Sequence, residues 1–387
     1  GSDNDNIDAA SHLTAPPRWR SDDTDCRTAI ASLLALLAVA DLAAPQCDQS
    51  RLQLIAPESC PLPPIDDIIS AILEEDPSWS AECVMLLNAA RHLKDWLAID
   101  DAGAPGDAVE PRPATPISEV HSLSLIEQFM TATPEARVAI ARVAAVVGQA
   151  IRHWPQGRPL RILQLGVAAG GLTRALEPHL KSAHERDTRA HLVIADTDET
   201  SSTRIASLYA GTPGIEAVHV DATLDTLDVF TPFDLVVSAG GLHGLENVGV
   251  LLANLKAHLA DGAIAAVTEL TPCAFHDVVF AGTRGWFDTS LVDGIAQGRL
   301  RDTARWSKLL EAAAFQPHVT GDAAPDTTGN LILARFEQPA AAVNDHSDDT
   351  LTDAQSTEAD TTPATAPVVI VATGDAPAAS FANTLHD

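Results

Sequence analysis

His243 and Glu269 are the two residues of this sequence best placed to do chemistry together. Each follows a short apolar run. Phe233–Ser238 leads through Gly240 and Gly241 to His243, and Ala263–Thr268 leads directly to Glu269. Runs of this kind read as neighbouring parallel strands, whose adjacent ends would bring imidazole and carboxylate together. A carboxylate closing an apolar run is partly buried and needs a partner. Beside an imidazole it fixes the tautomer and stabilises the imidazolium, which makes a general base. Taken alone, one histidine among 14 reads more readily as a surface or core residue, so the pairing is what gives it chemistry.

Three further strand ends carry groups that a ligand could use. The run Leu160–Leu165, with Gln164 inside it, ends in the turn Gly166-Val-Ala168-Ala-Gly170-Gly171. Small residues there let the backbone approach a ligand closely. His191–Ala195 ends at Asp196, a carboxylate suited to ribose hydroxyls, and Ile215–Val220 ends at Asp221, placed to meet an adenine edge. Taken singly, each acid reads equally well as a helix cap or a solvated rim residue. In open α/β sheets, however, ligands bind outside the carboxyl ends of the strands, and polar groups at five successive ends form a constellation.

The elements that must position these residues change character along the chain. Residues 1–15 are polar and expected to be disordered. Residues 16–154 read as a helical subdomain, with helices expected over Arg27–Ala43, Asp66–Glu75, Ser78–Ala98, Ile117–Thr131 and Pro134–Trp154. In the third of these, Trp79, Cys83, Leu86, Ala90, Leu93 and Leu97 recur at helical spacing and predict one apolar face. From residue 155 to 337, short apolar runs alternate with helical stretches such as Asn247–Leu259 and Thr303–Ala314, which implies an α/β fold with parallel strands and crossover helices. Two late runs, Gln316–Thr320 and Asn330–Phe336, have no helix between them, so the last strand is expected to enter antiparallel. Residues 338–366 carry six carboxylates and no Lys or Arg, the composition of a solvated linker. Residues 367–387 read as the start of a following module.

Composition narrows the classes further. The 387 residues carry a formal charge of −29, which argues against nucleic acid or an anionic membrane surface as partner. Five cysteines without a CxxC pair suggest neither a disulfide framework nor a metal site; reduced thiols in a cytoplasmic protein are the expectation. The most apolar stretch, Ala29–Ala40, is shorter than the roughly 20 residues a membrane-spanning helix needs.

Four segments carry a resemblance to a known family: Leu235-Val-Val-Ser-Ala-Gly-Gly-Leu-His243; Leu259 to Pro272 with its Glu269; Phe280-Ala-Gly-Thr-Arg-Gly-Trp286; and Trp306 to Phe315. Over about Trp19 to Phe336 the chain resembles the carbon-methyltransferase domain of type I polyketide synthases. The resemblance implies a Rossmann-like, seven-stranded class I methyltransferase sheet with an α-helical amino-terminal lid. It also implies S-adenosylmethionine as cofactor, methylation at the α-carbon of a β-ketoacyl thioester on an acyl carrier protein, and neighbouring synthase domains. The segment near Val368 is similar to the start of a ketoreductase. His243 matches the family's base and Glu269 its orienting acid, while Gln164, Gly166, Ala168, Gly170, Gly171, Asp196, Asp221 and Gly240 fall at its cofactor-binding positions. No metal is implied.

The chain departs from the family at two of these positions. Gln164 replaces an acid, and Ala168 replaces the middle glycine of the turn. These departures keep open a degenerate, non-methylating domain that serves as a structural or docking element. Two further readings are a relaxed dinucleotide fingerprint at Gly166–Gly171 and methylation of oxygen in place of carbon.

Overall fold

The computed structural model describes residues 33, 37, 43–45, 52–54, 63–96, 121–167, 170–185, 189–245, 247–281, 286–292, 295–320 and 331–337. The chain divides into two compact units, Gly1–Thr133 with Pro272–Leu300, and Pro134–Thr271 with Arg301–Asp387. Of the expected helix Arg27–Ala43, Leu33 and Leu37 are helical and Ala43 begins a strand, and its other residues, the linker 338–366 and residues 367–387 lie outside the described residues.

In the first unit, strands β1 (Ala43–Pro45) and β2 (Leu52–Leu54) pair antiparallel. Helix α1 (Ile65–Glu75) buries none of its residues. Helix α2 (Ser80–Trp96) buries Ala81, Cys83, Met85 and Ala89. That face is rotated from the expected one: Ala90 is exposed, and Trp79, 42% exposed, precedes the helix in a short 3-10 turn. The helix is apolar on more than one side, so two stripes satisfy helical spacing, and the i, i+4, i+8 stripe of small Ala81, Met85 and small Ala89 is the one that packs. Helix α3 (Leu123–Ala132) starts at Ser122, whose Oγ accepts from Leu125 N at 3.3 Å.

The second unit opens with helix α4 (Pro134–His153), followed by β3 (Leu160–Leu165), α5 (Gly171–Glu185), β4 (Ala190–Asp196), α6 (Glu199–Leu208), β5 (Ile215–His219), β6 (Phe233–Ala239), α7 (Val248–Leu255) and β7 (Leu259–Thr268). Sequence periodicity grouped α4 with the amino-terminal helices. Its Val143, Val147 and Ile151 instead share one core with Leu160, Ile162, Leu172 and Leu176, so the division of the chain falls at Thr133–Pro134 rather than near residue 154. Gly148 permits the close approach of α4 and α5, because a Cβ there would lie 2.7 Å from the His179 ring.

The chain then returns to the first unit with α8 (Ala274–Phe280) and the antiparallel pair β8 (Phe287–Val292) and β9 (Ile295–Gly298), a hairpin not anticipated from the sequence. Phe129, Phe275, His276, Phe280 and Trp286 form an aromatic cluster there. Helix α9 (Thr303–Ala312), β10 (Phe315–Thr320) and β11 (Leu331–Phe336) complete the second unit.

Seven strands form one sheet in the order β10-β11-β7-β6-β3-β4-β5. Strands β3 to β7 pair in parallel, and β11 inserts antiparallel between β7 and β10, as its short connection to β10 predicts. Every residue of the central strand β6 is buried, the pattern of a sheet covered on both faces. One core forms on each face: Leu163, Val236 and Val267 face α7 and α9, whereas Ile162, Val237 and Ala266 face α4 and α5. This arrangement leaves the carboxyl ends of five parallel strands on a single edge.

Candidate active site

The two glycine turns at that edge lie back to back. Gly166, with φ +77°, leaves β3, and a Cβ on it would meet Gly241 O at 2.5 Å. A Cβ on Gly241 would come within 3.0 Å of Gly166 Cα. Gly166 is therefore glycine for space as well as for backbone angle, and Gly241, at φ −110°, for space alone. Gly170 has φ +76° and donates to Val167 O at 2.7 Å, closing the turn before α5 begins at Gly171. Ala168 lies outside the described residues. Gly240, with φ +69°, donates to Thr268 O at 2.7 Å and ties the end of β6 to that of β7.

Gln164 is fully buried and spans strand and helix. Its Oε1 accepts from Thr173 Oγ1 at 3.0 Å, and its Nε2 donates to Gly166 O at 3.2 Å. Asp196 joins the β4 end to the β3 turn: Oδ2 accepts from Val167 N at 2.7 Å and Oδ1 from Asp198 N at 2.8 Å. Burial pushes its carboxyl above the ordinary value, and the bonds from the Asp198 and Val167 N–H groups oppose that shift. Asp221 is exposed and accepts from Thr223 Oγ1 at 2.6 Å and Thr223 N at 2.9 Å, bonds that hold it below the ordinary value. In this structure its carboxylate is a turn former.

His243 and Glu269 meet. His243 sits in a 3-10 turn, Leu242–Gly244, and its Nδ1 lies 2.9 Å from Glu269 Oε2. Glu269 also accepts from Leu242 N at 2.7 Å, His243 N at 3.3 Å and Ser238 Oγ at 3.4 Å. An ionised carboxylate only accepts, so Nδ1 carries the proton and Nε2 keeps its lone pair. Side-chain exposures of 13% for His243 and 2% for Glu269 make the ring accessible and the acid inaccessible. An imidazole oriented in this way by a sequestered carboxylate can serve chemically as a general base.

The sequence reading missed Thr173, Ser238 and the two main-chain donors to Glu269. Ser238 had a legible signal, a lone hydroxyl in the apolar run of β6; the backbone donors had none. At the end of β7, Thr268 Oγ1 is buried without a hydrogen-bond partner. Among the described residues, no group of three or more His, Cys, Asp or Glu is placed to hold a metal ion. No helix among them is long and apolar enough to cross a membrane.

No family model matches the chain. Two solved structures superpose over most of it: the CurJ carbon methyltransferase, with TM-score 0.63 and 19% identity over 82% of this chain and 81% of that one, and the C-methyltransferase domain of the citrinin polyketide synthase, with TM-score 0.65 and 17% identity over 82% and 80%. The fold is that of the polyketide carbon methyltransferases. In sequence, the chain is 26% identical over 217 residues to the polyketide methyltransferase ustM of Ustilaginoidea virens, covering 55% of this chain and 48% of that protein. It is 29% identical over 175 residues to fumosorinone synthetase of Cordyceps fumosorosea, covering 42% of this chain and 4% of the synthetase. The chain thus spans about half the length of the first relative and a small part of the second. These matches bear out the resemblance to the polyketide methyltransferase domains.

Proposed function

We propose that this chain is an S-adenosylmethionine-dependent carbon methyltransferase of a polyketide synthase. It acts on the α-carbon of a β-ketoacyl thioester held by an acyl carrier protein, among neighbouring synthase domains. The observation that carries the reading is the 2.9 Å bond between His243 Nδ1 and Glu269 Oε2 at the ligand edge of the sheet. The β-keto thioester is chosen by its acidity. A proton between two carbonyls is within reach of an imidazole, whereas an isolated α-proton is not.

His243 Nε2 takes the α-proton, and Glu269 stabilises the imidazolium that results. The electron pair left on the α-carbon is directed at a methyl group. S-adenosylmethionine, when bound, would supply that methyl on a sulfonium, which makes it electrophilic and lets the sulfur leave as a neutral thioether with the electron pair of the broken C–S bond. The residues present fit such a cofactor. The Gly166 and Gly241 turns bring bare backbone to the sheet edge, Asp196 offers further lone pairs beside the turn, and the Thr268 hydroxyl is unpaired. Gly170, Gly171, Ala168 and Gly240 would form the rest of the cradle, with Gln164 beneath it and Asp221 at the rim. Geometry alone can supply much of the acceleration once base and α-carbon are aligned.

A second reading, a non-methylating domain kept as structure or docking surface, is favoured by Gln164. Its amide is bonded to Thr173 and Gly166 and brings no negative charge for the cofactor's ammonium. Calorimetry with S-adenosylmethionine separates the two readings, since tight binding counts against a degenerate domain. The test of the main reading is incubation with S-adenosylmethionine and a carrier-bound β-ketoacyl thioester. The expected product gains one methyl group, and fragmentation places it on carbon. A folded protein that binds the cofactor and transfers nothing, or that methylates oxygen, overturns it.

A further inference from the structure

Gln164 in β3 and Thr173 in the first turn of α5 are both fully buried, and hydrogen bonds join them to the glycine turn that lies between. Thr173 Oγ1 donates to Gln164 Oε1 at 3.0 Å, and Gln164 Nε2 donates to Gly166 O at 3.2 Å. Glutamine can do both because its planar end carries an acceptor and a donor together. Turned over, the amide would set Oε1 against Gly166 O, so its orientation follows from its partners. Two side chains thereby tie strand, turn and helix to one another.

The tie completes the hydrogen bonding of the turn. Gly166 N donates to Ala195 O at 2.9 Å, Val167 N to Asp196 Oδ2 at 2.7 Å, and Gly170 N to Val167 O at 2.7 Å. Gly166 O is the remaining main-chain group of Gly166 and Val167, and Gln164 Nε2 takes it. The main-chain polar groups of these two residues are therefore satisfied without a ligand. The bond falls where it constrains most, since Gly166 is at φ +77° and has no side chain to limit its backbone. A carboxylate at position 164 could accept from Thr173 but could not donate to Gly166 O.

We propose that Thr173, acting through Gln164, is a positioning residue that holds the Gly166–Gly170 turn in its ligand-ready form before the cofactor arrives. This rests on the reading of the turn as the S-adenosylmethionine site. The neutral amide then contributes to binding through order rather than through charge. A loop already in its bound form loses little freedom when the ligand docks. The affinity observed scales with the fraction of molecules in which the turn is formed, so Thr173 need not touch the cofactor for its loss to be felt. A buried pair that served only the core would add to stability and leave affinity unchanged.

Amide exchange at Val167 and Gly170, with and without S-adenosylmethionine, and cofactor affinity by calorimetry are measured in wild type, Thr173→Val and Thr173→Ser. Valine keeps the shape and removes the hydroxyl, whereas serine keeps the hydroxyl. Without cofactor, both amides are expected to be protected in wild type and Thr173→Ser, and to lose most of that protection in Thr173→Val. Affinity is expected to fall about tenfold in Thr173→Val, the turn being formed in about one molecule in ten, and bound cofactor restores the protection. Should the single variant fail to fold because the amide is left without its donor, Gln164→Met combined with Thr173→Val removes both polar ends together, and the same two losses are expected. Equal affinity in wild type and Thr173→Val overturns the proposal even where stability differs. So does lost affinity with Val167 and Gly170 still protected, or a Thr173→Ser as impaired as Thr173→Val. Wild type that binds no S-adenosylmethionine overturns the reading of function itself, so the two failures are told apart.

Discussion

Gly166 and Gly241 press their backbones together where β3 and β6 leave the sheet, and a methyl group on Gly166 would sit 2.5 Å from Gly241 O. This contact fixes the spacing between the glycine turn and the turn that carries His243. Gly166→Ala combines a forbidden backbone angle with a backbone clash, and is expected to cost about 2–4 kcal/mol. Gly157→Ala is the control. It also has positive φ, +86°, but meets nothing within 4 Å, so about 1 kcal/mol is expected. Chemical denaturation of the two variants measures the difference.

Gln164→Glu would restore the acid of the related domains, but within a different hydrogen-bond set. A carboxylate can still accept from Thr173, yet it loses the donor that Nε2 gives to Gly166 O and sets oxygen against oxygen in a fully buried site. The ligand-free variant should lose about 1–3 kcal/mol of stability. Denaturation midpoints of the two proteins without cofactor test this, and an unchanged midpoint would show that the Gly166 bond contributes nothing.

Glu269→Gln tests the orientation of the base. An amide can donate to Nδ1, which moves the ring proton to Nε2 and removes the lone pair that, in the proposed reaction, would take the substrate proton. Methyl transfer is expected to fall by about 10²–10⁴-fold with cofactor affinity unchanged. Pre-steady-state rates and calorimetry on the same sample provide the check.

His179 lies against Gly148, and burial, with Arg152 adding to it, lowers its pKa below the ordinary histidine value. The unfolded chain then binds a proton that the folded chain resists. The stability linked to His179 is present in full above the unfolded pKa and is lost as the pH falls from that value through the lower folded one. Unfolding of wild type and His179→Gln compared at pH 7.5 and pH 5, on either side of the ordinary 6.5, should show the larger acid loss in wild type.

Much of the sheet was legible in the sequence because buried parallel strands have no polar side and stand out as runs. Leu160–Leu165 occurs as expected, and the antiparallel entry of the last strand followed from the missing helix before it. Helix faces were less legible. In α2, Cys83, Leu86 and Ala90 fit one stripe while Ala81, Met85 and Ala89 fit another, and only packing chooses between them. At the site, the meeting of His243 with Glu269 could be reasoned from adjacent strand ends, whereas the Leu242 and His243 N–H groups that grip the acid belong to the backbone and have no letter of their own. Asp221 shows the opposite problem. Its position fitted a ligand contact, but Thr223, two residues on, gives its carboxylate a local partner.

Single-turnover methyl transfer to a carrier-bound β-ketoacyl thioester, run on wild type and His243→Ala with cofactor affinity measured on the same preparations, tests the central assignment most directly. The His243–Glu269 reading predicts transfer to carbon by wild type, no detectable transfer by His243→Ala, and equal S-adenosylmethionine affinity in both. Equal transfer by the two proteins, or cofactor bound by folded wild type with no transfer at all, would contradict it.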